Sequence, residues 1–222
     1  EFPASFEATL RGCDAAYYLL HGLGSGPDYA ASEASMAKSF SRAAGEVGLE
    51  RIVYLGGVAP LGTASKHLAS RLRTGELLAA GRTPVVELRA SMVIGTGSAS
   101  WQLVRDLLVR LPWLAFPPWL DHLSSPIAIE DVVLALVAAL GERVPPGCWE
   151  LPGPELLSHR TLLERVAAPL GTRISERRLR GVSPRALGVL ASLLASGNRH
   201  LVRELVAGLG ARDRRRLIGH TP

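Results

Sequence analysis

Short apolar runs alternate with amphipathic stretches along the first two thirds of the chain. Three of these runs have the length and the apolar, partly β-branched composition of buried strands, and each is followed by a segment that contains glycine. They are residues 15–20, 52–55 and 84–88. Strands that alternate with helical patterns are typical of a parallel α/β sheet with helices on both faces, so the pattern predicts this fold class. Because ligands bind such sheets at the carboxyl ends of the strands, the three exits should line one crevice.

The amphipathic stretches predict the connecting helices. One begins after Asp28, a suitable N-cap, and a second begins after Thr63 or Ser65, either of which can cap it. The second helix places His67 and Arg71 on one face, because they are four residues apart. Further helices are predicted over residues 5–11, 101–111, 129–140, 184–195 and 199–209, together with a helix capped by Ser158 that runs to residue 170 and a short strand at residues 148–151.

The composition is that of a globular chain with one sizeable core. The 222 residues are 47% hydrophobic and 20% charged. No apolar run reaches about 18 residues, and the N-terminus does not resemble a signal peptide. Cys13 and Cys148 lie in or beside apolar stretches, which predicts buried thiols in a reducing compartment rather than a disulfide. These features predict a cytoplasmic protein with no membrane partner, and no metal site is expected.

The formal net charge of +5 is unevenly distributed. Residues 1–150 carry 12 Lys and Arg against 15 Asp and Glu, whereas residues 151–222 carry 13 against 5. An arginine-rich end can indicate a surface for nucleic acid or an acidic partner. No aromatic residues interleave with these arginines, and arginine is the usual cation of this chain, since Lys38 and Lys66 are its only lysines. A nucleic-acid partner is therefore not expected.

Five segments, in order along the chain, carry a resemblance to a known family. They are GCDAAYYLLH (12–21), RIVYLGG (51–57), HLASR (67–71), LRAS (88–91) followed by Ile94-Gly95, and PIAIEDV (126–132). Together they resemble an atypical short-chain dehydrogenase/reductase of the NAD-dependent epimerase/dehydratase superfamily, and within it the NmrA-like, NAD(P)H-binding proteins. The resemblance implies a partial, Rossmann-like, doubly wound parallel sheet with an α-rich C-terminal lobe.

The resemblance also implies a domain division. Residues 1–145 would be the C-terminal part of an NAD(P)-binding domain whose first strands and glycine-rich dinucleotide turn are absent, and no G-x-G-x-x-G occurs in the chain. Residues 96–125 would contribute to the substrate pocket, and residues 146–222 would form a small substrate or cap lobe truncated at its end. The apolar, proline-containing segment 111–119 is predicted to be non-helical, and either core cover or a pocket for a nonpolar substrate would explain it.

The predicted catalytic pair departs from the family pattern. In typical members a serine follows the central strand, and a Tyr-x-x-x-Lys pair on the next helix supplies the proton donor and the group that holds the nicotinamide ribose. The matching positions here are Gly56 or Gly57, His67 and Arg71. A guanidinium beside His67 would favour the neutral imidazole, and Arg71 could still bind the ribose. The same pair would also suit a solvated helix face, so both interpretations stay open.

The resemblance implies NAD or NADP as cofactor, with NADP favoured. The implied binding residues are His21, Gly22, Gly56, Gly57, Arg71, Ser91, Val93 and Gly95, with Ser91 and Gly95 beside the nicotinamide. Residues 21–26 suit a flexible loop and a ligand loop equally, because their glycine spacing differs from the dinucleotide motif. Arg89 lies at a strand exit. A functional role in the crevice and a structural role, bound to carbonyls or a carboxylate, explain it equally well.

Two functions remain open at this stage. One is an NAD(P)-dependent oxidoreductase that transfers hydride to a small, apolar substrate, and the other is a non-catalytic dinucleotide-binding redox sensor or assembly module. Loss of the typical serine and tyrosine favours the second, whereas the apolar segment 111–119 favours the first. Because the pyrophosphate turn is absent, weak dinucleotide binding is expected. The uncharged, proline-free segment 15–20 is expected to form a bare sheet edge through which the chain self-associates.

Overall fold

The computed structural model describes four long stretches of the chain. These are residues 3–22, 28–61, 64–110 and 118–172, together with Ser183, Val189, Val206, Arg212 and Asp213. Apart from Val189 and Val206, the helices predicted at 184–195 and 199–209 lie outside the described residues, as do most of the apolar segment 111–119 and residues 23–26 of the glycine loop.

Short strands and six α-helices alternate along the described stretches. The helices are α1 (Pro3–Leu10), α2 (Tyr29–Glu46), α3 (Lys66–Ala79), α4 (Ala99–Arg110), α5 (Ile129–Ala139) and α6 (His159–Ala167), and a 3-10 helix spans Pro118–Asp121. The strands are β1 (Ala15–Tyr18), β2 (Arg51–Gly57), β3 (Pro60–Leu61), β4 (Val85–Ala90), β5 (Val93–Ile94), β6 (Leu123–Ser124), β7 (Ile127–Ala128), β8 (Gly147–Leu151), β9 (Leu157–Ser158) and β10 (Arg212–Asp213). Every helix and strand predicted within the described stretches is confirmed, with ends that differ by up to three residues.

The chain forms two compact units that interleave along the sequence. The first comprises Glu1–Val58, Lys66–Ala90 and Glu130–Leu151, and the second comprises Ala59–Ser65, Ser91–Ile129 and Pro152–Pro222. These ranges differ from the sequence-based expectation of a single division at residue 145. That division stays a prediction about the domains.

The first unit contains a four-stranded parallel sheet. Its strand order is β1-β2-β4-β8, and every neighbouring pair is parallel. The side chains of Ile52 and Tyr54 pack on one face with buried residues of α2 and α3, whereas Val53 packs on the other face with Ala139 of α5. Successive residues of a strand point to opposite faces, so an unbroken apolar run suits a sheet that is covered on both. The predicted doubly wound α/β fold class is confirmed.

Within the described residues, the second unit contains short strand pairs, the helices α4 and α6, and the 3-10 helix. β5 pairs with β7 in parallel, while β6 pairs with β9 and β3 pairs with β10 in antiparallel. Leu103 and Leu108 of α4 pack in one core with Leu162 and Val166 of α6. The side chain of Ser158 caps α6, as predicted, because its Oγ accepts a hydrogen bond from the backbone N–H of Thr161.

Both cysteines are exposed, so the prediction of buried thiols is wrong. Cys13 lies in the turn between α1 and β1, and Cys148 lies on β8 at one end of the sheet. An apolar sequence neighbourhood does not bury a side chain when the element carrying it lies at an edge. Among the described helices, none has both the length and the apolar character needed to cross a membrane.

Candidate functional site

The carboxyl ends of β1 and β2 bring several predicted site residues together in the first unit. His21 and Gly22 follow β1, and Gly56 and Gly57 end β2. Helix α3, which follows β2, carries His67 in its first turn and Arg71 one turn later. The charges of His21 and Arg71 both act on His67, so these three side chains share one electrostatic environment.

His67 is neutral at neutral pH. Burial, and then the positive charges of Arg71 and His21, lower its pKa to about 4, while Glu33 acts in the opposite direction. Its Nδ1 atom is buried and makes no hydrogen bond within the described part of the chain. The neutral form was expected from the neighbouring guanidinium, but burial is the larger cause. A ring of this kind accepts or donates hydrogen bonds, whereas it holds no imidazolium proton to deliver at neutral pH.

Arg71 fastens α3 to the end of β2. Its Nη2 donates to the carbonyl oxygen of Leu55, and its guanidinium carbon lies 4.9 Å from the centre of the Tyr54 ring. In return the hydroxyl of Tyr54 donates to the backbone carbonyl of Arg71 at 2.8 Å. The sequence predicts that Arg71 contacts a ribose. Because β2 already holds this side chain in place, it would make that contact from a fixed position.

Glu33 of α2 belongs to this cluster and was missed from the sequence. Its side chain is buried, its Oε1 accepts from the backbone N–H of Gly22 at 2.5 Å, and its Oε2 accepts from the hydroxyl of Ser70 on α3. A signal was present, because Glu33 is four residues before Ala37 and seven before Phe40, both of which are buried. An acid at the phase of an apolar helix face is a candidate for a buried, hydrogen-bonded carboxylate.

The glycines at the end of β2 make room for protein groups. A Cβ on Gly56 would lie 2.7 Å from Oε1 of Glu87, and a Cβ on Gly57 would lie 3.1 Å from Cδ2 of Leu68 on α3. Glu87 is buried and accepts from Arg89 Nε at 2.9 Å and from its Nη2 at 3.2 Å. The structural interpretation of Arg89, as a residue bound to a carboxylate, is thereby confirmed.

The other predicted cofactor residues belong to the second unit. Val93 lies in β5, and its carbonyl accepts from the hydroxyl of Ser98 at 2.6 Å. Gly95 has a φ of 153°, and a Cβ there would collide with the side chain of Ile129. The structure thus groups Ser91, Val93 and Gly95 in this unit, and His21, Gly22, Gly56, Gly57, His67 and Arg71 in the first. The roles of all these residues stay predictions.

Comparison with known proteins identifies the fold. No protein-family model matches this chain, and no curated protein matches it. Among solved structures, the Bordetella bronchiseptica enzyme WbmG in complex with NAD and UDP has a TM-score of 0.64 at 15% identity, over 82% of this chain and 65% of that one. A nucleoside-diphosphate-sugar epimerase from Staphylococcus aureus has a TM-score of 0.70 at 16% identity, over 93% of this chain and 70% of that one.

A third similar structure is UDP-glucuronic acid 4-epimerase from Bacillus cereus in complex with NAD. Its TM-score is 0.64 at 18% identity, over 93% of this chain and 75% of that one. At these identities the likeness shows a shared fold, namely the Rossmann-like α/β sheet expected from the sequence. The chain spans slightly less than two thirds of WbmG, 65% of its length.

Proposed function

We propose that this chain binds NAD or NADP beside the carboxyl ends of β1 and β2, and takes part in hydride transfer to a small, apolar substrate as an atypical short-chain dehydrogenase/reductase. The fold supports the proposal, because the WbmG and Bacillus cereus structures that share it hold NAD. The position of the cluster supports it as well, since ligands of such sheets bind at the carboxyl ends of the strands.

The observation that carries this proposal is the state of His67. Its Nδ1 is a buried polar atom with no hydrogen-bond partner among the described residues; the Nδ1 of His159 in the second unit shares this state, but His67 lies beside the carboxyl ends of β1 and β2, where ligands of such sheets bind. A hydroxyl group of a ribose or of a substrate is a suitable partner for a neutral imidazole nitrogen. We therefore assign His67 the role of binding and orienting a hydroxyl at this edge of the sheet.

The other residues of the cluster position the groups around His67. Arg71 holds α3 against β2, and the His21–Gly22 loop is held by Glu33 of α2. A bound dinucleotide would supply the hydride donor or acceptor, and the residues of this chain would bind it, orient the substrate and exchange the proton at the reacting oxygen. When a hydroxyl is oxidised, neutral His67 would accept its proton; when a carbonyl is reduced, one ring nitrogen would give its N–H hydrogen to the reacting oxygen while the other nitrogen takes a proton from water.

A second candidate function is dinucleotide binding without turnover. One observation favours it, namely that the pKa of about 4 leaves His67 without an imidazolium proton for a carbonyl oxygen at neutral pH. A site that binds a nicotinamide dinucleotide in this way would serve as a redox sensor or an assembly module.

Calorimetric titration of the chain with NADH and NADPH tests the binding. We expect measurable affinity that is weaker than micromolar, because the chain contains no G-x-G-x-x-G turn for the pyrophosphate. The absence of binding at saturating dinucleotide would contradict the proposal. Micromolar affinity would instead show that another segment provides the pyrophosphate contacts.

Variants then separate the two functions. With a panel of quinones, aldehydes and enones, His67→Ala should lower turnover more than binding, and Arg71→Ala should weaken dinucleotide binding. Arg165→Ala, on the exposed surface of α6, is the control and should match the parent. Binding without turnover on the whole panel would favour the non-catalytic function, and unchanged affinity and rate in both site variants would show that the pair has only a structural role.

A further inference from the structure

Two parts of the cluster that are distant in sequence meet at one carboxylate. Glu33 accepts from the backbone N–H of Gly22, 11 residues before it, and from the hydroxyl of Ser70, 37 residues after it. The first partner belongs to the loop after β1, and the second belongs to α3, the helix that carries His67 and Arg71. The carboxylate is buried, with 3% of the residue exposed, so both hydrogen bonds are shielded from water.

Charged and titratable groups from each surrounding element face this carboxylate. The charge of Glu33 acts on Tyr18 of β1, on His21 after β1, on Tyr54 of β2 and on His67 of α3. Arg71 provides the positive charge that acts on the same four side chains. Removing the negative charge would therefore leave two histidines beside a guanidinium without the carboxylate that raises their pKa, while Glu87 of β4 would still act on Tyr54.

We propose that Glu33 is the positioning residue of this site: it ties the His21–Gly22 loop to α3 and supplies the negative charge that His21, His67 and Arg71 share. The purpose of this arrangement rests on the proposed function, because the loop and the helix are the parts that would hold the dinucleotide. The arrangement itself is tested without any cofactor, so the two proposals can fail separately.

Two variants separate the charge from the bridge. Glu33→Gln removes the charge and keeps the shape, because the amide oxygen can accept from Gly22 while the amide N–H₂ donates to a rotated Ser70 hydroxyl. Ser70→Ala keeps the charge and removes the link to α3, and alanine is favourable within a helix. Both variants preserve the apolar packing of α2 and α3.

The measurement is an NMR titration of the imidazole signals in the complete chain. Glu33 raises the pKa of His21 and of His67, so in Glu33→Gln both should titrate at a lower pH than in the parent. In Ser70→Ala both should stay close to the parent. His159, whose pKa depends on burial and on His122 in the second unit, is the internal control and should not move. Unchanged titration of both His21 and His67 in Glu33→Gln would overturn the proposal.

A second measurement applies even if Glu33→Gln fails to fold. In the parent chain the amide hydrogen of Gly22 should exchange slowly with solvent, although it lies in a loop, because a buried carboxylate accepts it. Ser70→Ala should speed that exchange several-fold, since the carboxylate loses its second anchor. Rapid exchange of the Gly22 amide in the parent would overturn the proposal. Absence of NADH binding in the parent would defeat the proposed function and leave this result intact.

Discussion

Single buried side chains set how closely α3 approaches the sheet. A Cβ on Gly75, in the middle of α3, would lie 2.6 Å from Oε2 and 2.7 Å from Oε1 of Glu87. Glu87 is held by its two hydrogen bonds to Arg89, so it is less free to move than an exposed glutamate. Glycine in a helix interior is unfavourable by about 1 kcal/mol relative to alanine. The packing of Glu87 explains why glycine is nevertheless present at position 75.

Gly75→Ala should therefore destabilise the chain relative to a matched glycine substitution. Gly45→Ala in α2 is the control, because its Cβ would meet only the side chain of Arg82 at 3.3 Å. Gly45 lies in the last turn of α2, so its substitution gains less helix propensity than that of Gly75, but only Gly75→Ala displaces a buried carboxylate. We expect its free energy of unfolding to be lower than that of the control by about 1–3 kcal/mol, measured in urea. Equal stability would show that Glu87 moves aside at little cost.

Two histidines should make the stability fall as the pH is lowered. Burial lowers the pKa of His67 and of His159 from 6.5 to about 4. Between these values the unfolded chain is protonated and the folded chain is not, so stability is present above about pH 6.5 and is lost as the pH falls towards about 4. Each histidine contributes a slope of at most about 1.4 kcal/mol per pH unit.

Urea unfolding at several pH values in this range measures the effect. His67→Gln and His159→Gln should each flatten the pH dependence, whatever they do to the stability at neutral pH. A parent whose stability stays constant across the range would contradict the neutral state of both rings.

At the level of elements, two helices differ in how their first turns are capped. Ser158 has an extended backbone, with φ −70° and ψ 151°, and its side chain caps α6 at Thr161. Asp28 stands at the N-cap of α2 with φ −97° and ψ 15°, and its side chain makes no capping hydrogen bond. N-cap residues usually adopt the extended conformation, which directs the side chain back to the free N–H groups. The sequence predicted both caps, and backbone geometry decided which one has a capping hydrogen bond.

Ser158→Ala should consequently reduce the free energy of unfolding by about 1 kcal/mol, because one N–H of α6 loses its partner. Asp28→Ala should change the free energy of unfolding by only a few tenths of about 1 kcal/mol, since no side-chain hydrogen bond is lost. Thermal and urea unfolding of the two variants, alongside Ser158→Asp as the variant that restores a cap, provide the comparison. A larger loss in Asp28→Ala than in Ser158→Ala would contradict these cap assignments.

Across the whole first unit, one sheet edge and one helix face expose apolar side chains. β1 is the end strand of the four-stranded sheet, and within the described residues it pairs only with β2. The hydroxyl of its Tyr17 donates to the carbonyl of Leu136 on α5 at 3.1 Å, so the edge adjoins that helix. On α5, Leu134 is 68% exposed and Val137 is 60% exposed. Uncharged edges and contiguous apolar patches favour association.

The chain should therefore self-associate as its concentration rises. Size-exclusion chromatography with light scattering is expected to show a mass that increases with concentration, and Leu134→Lys with Val137→Lys should shift it towards the monomer. Exposed Arg42→Lys on α2, which preserves charge, is the control. A monodisperse monomer at every concentration would contradict this prediction. If association is unchanged in the double variant, the interface would lie at the β1 edge instead.

The local pattern of the sequence determined most of the elements. Apolar runs gave strands and helical spacing gave amphipathic helices because both signals come from neighbouring residues, as in β2 and in α2. The same pattern put His67 and Arg71 on one face of α3, one turn apart, after the central strand. The two-residue strands β5 and β7 could not be predicted in this way, because each exists only through pairing with the other.

Tertiary structure alone decided the environment of the site. It brought Glu33 to Gly22 and Ser70, filled the space above Gly56 with Glu87, and left both cysteines exposed. It also made burial, more than the neighbouring Arg71, the main reason that His67 is neutral. Contacts between distant residues and the exclusion of water depend on how whole elements pack, and no window of neighbouring residues contains that information.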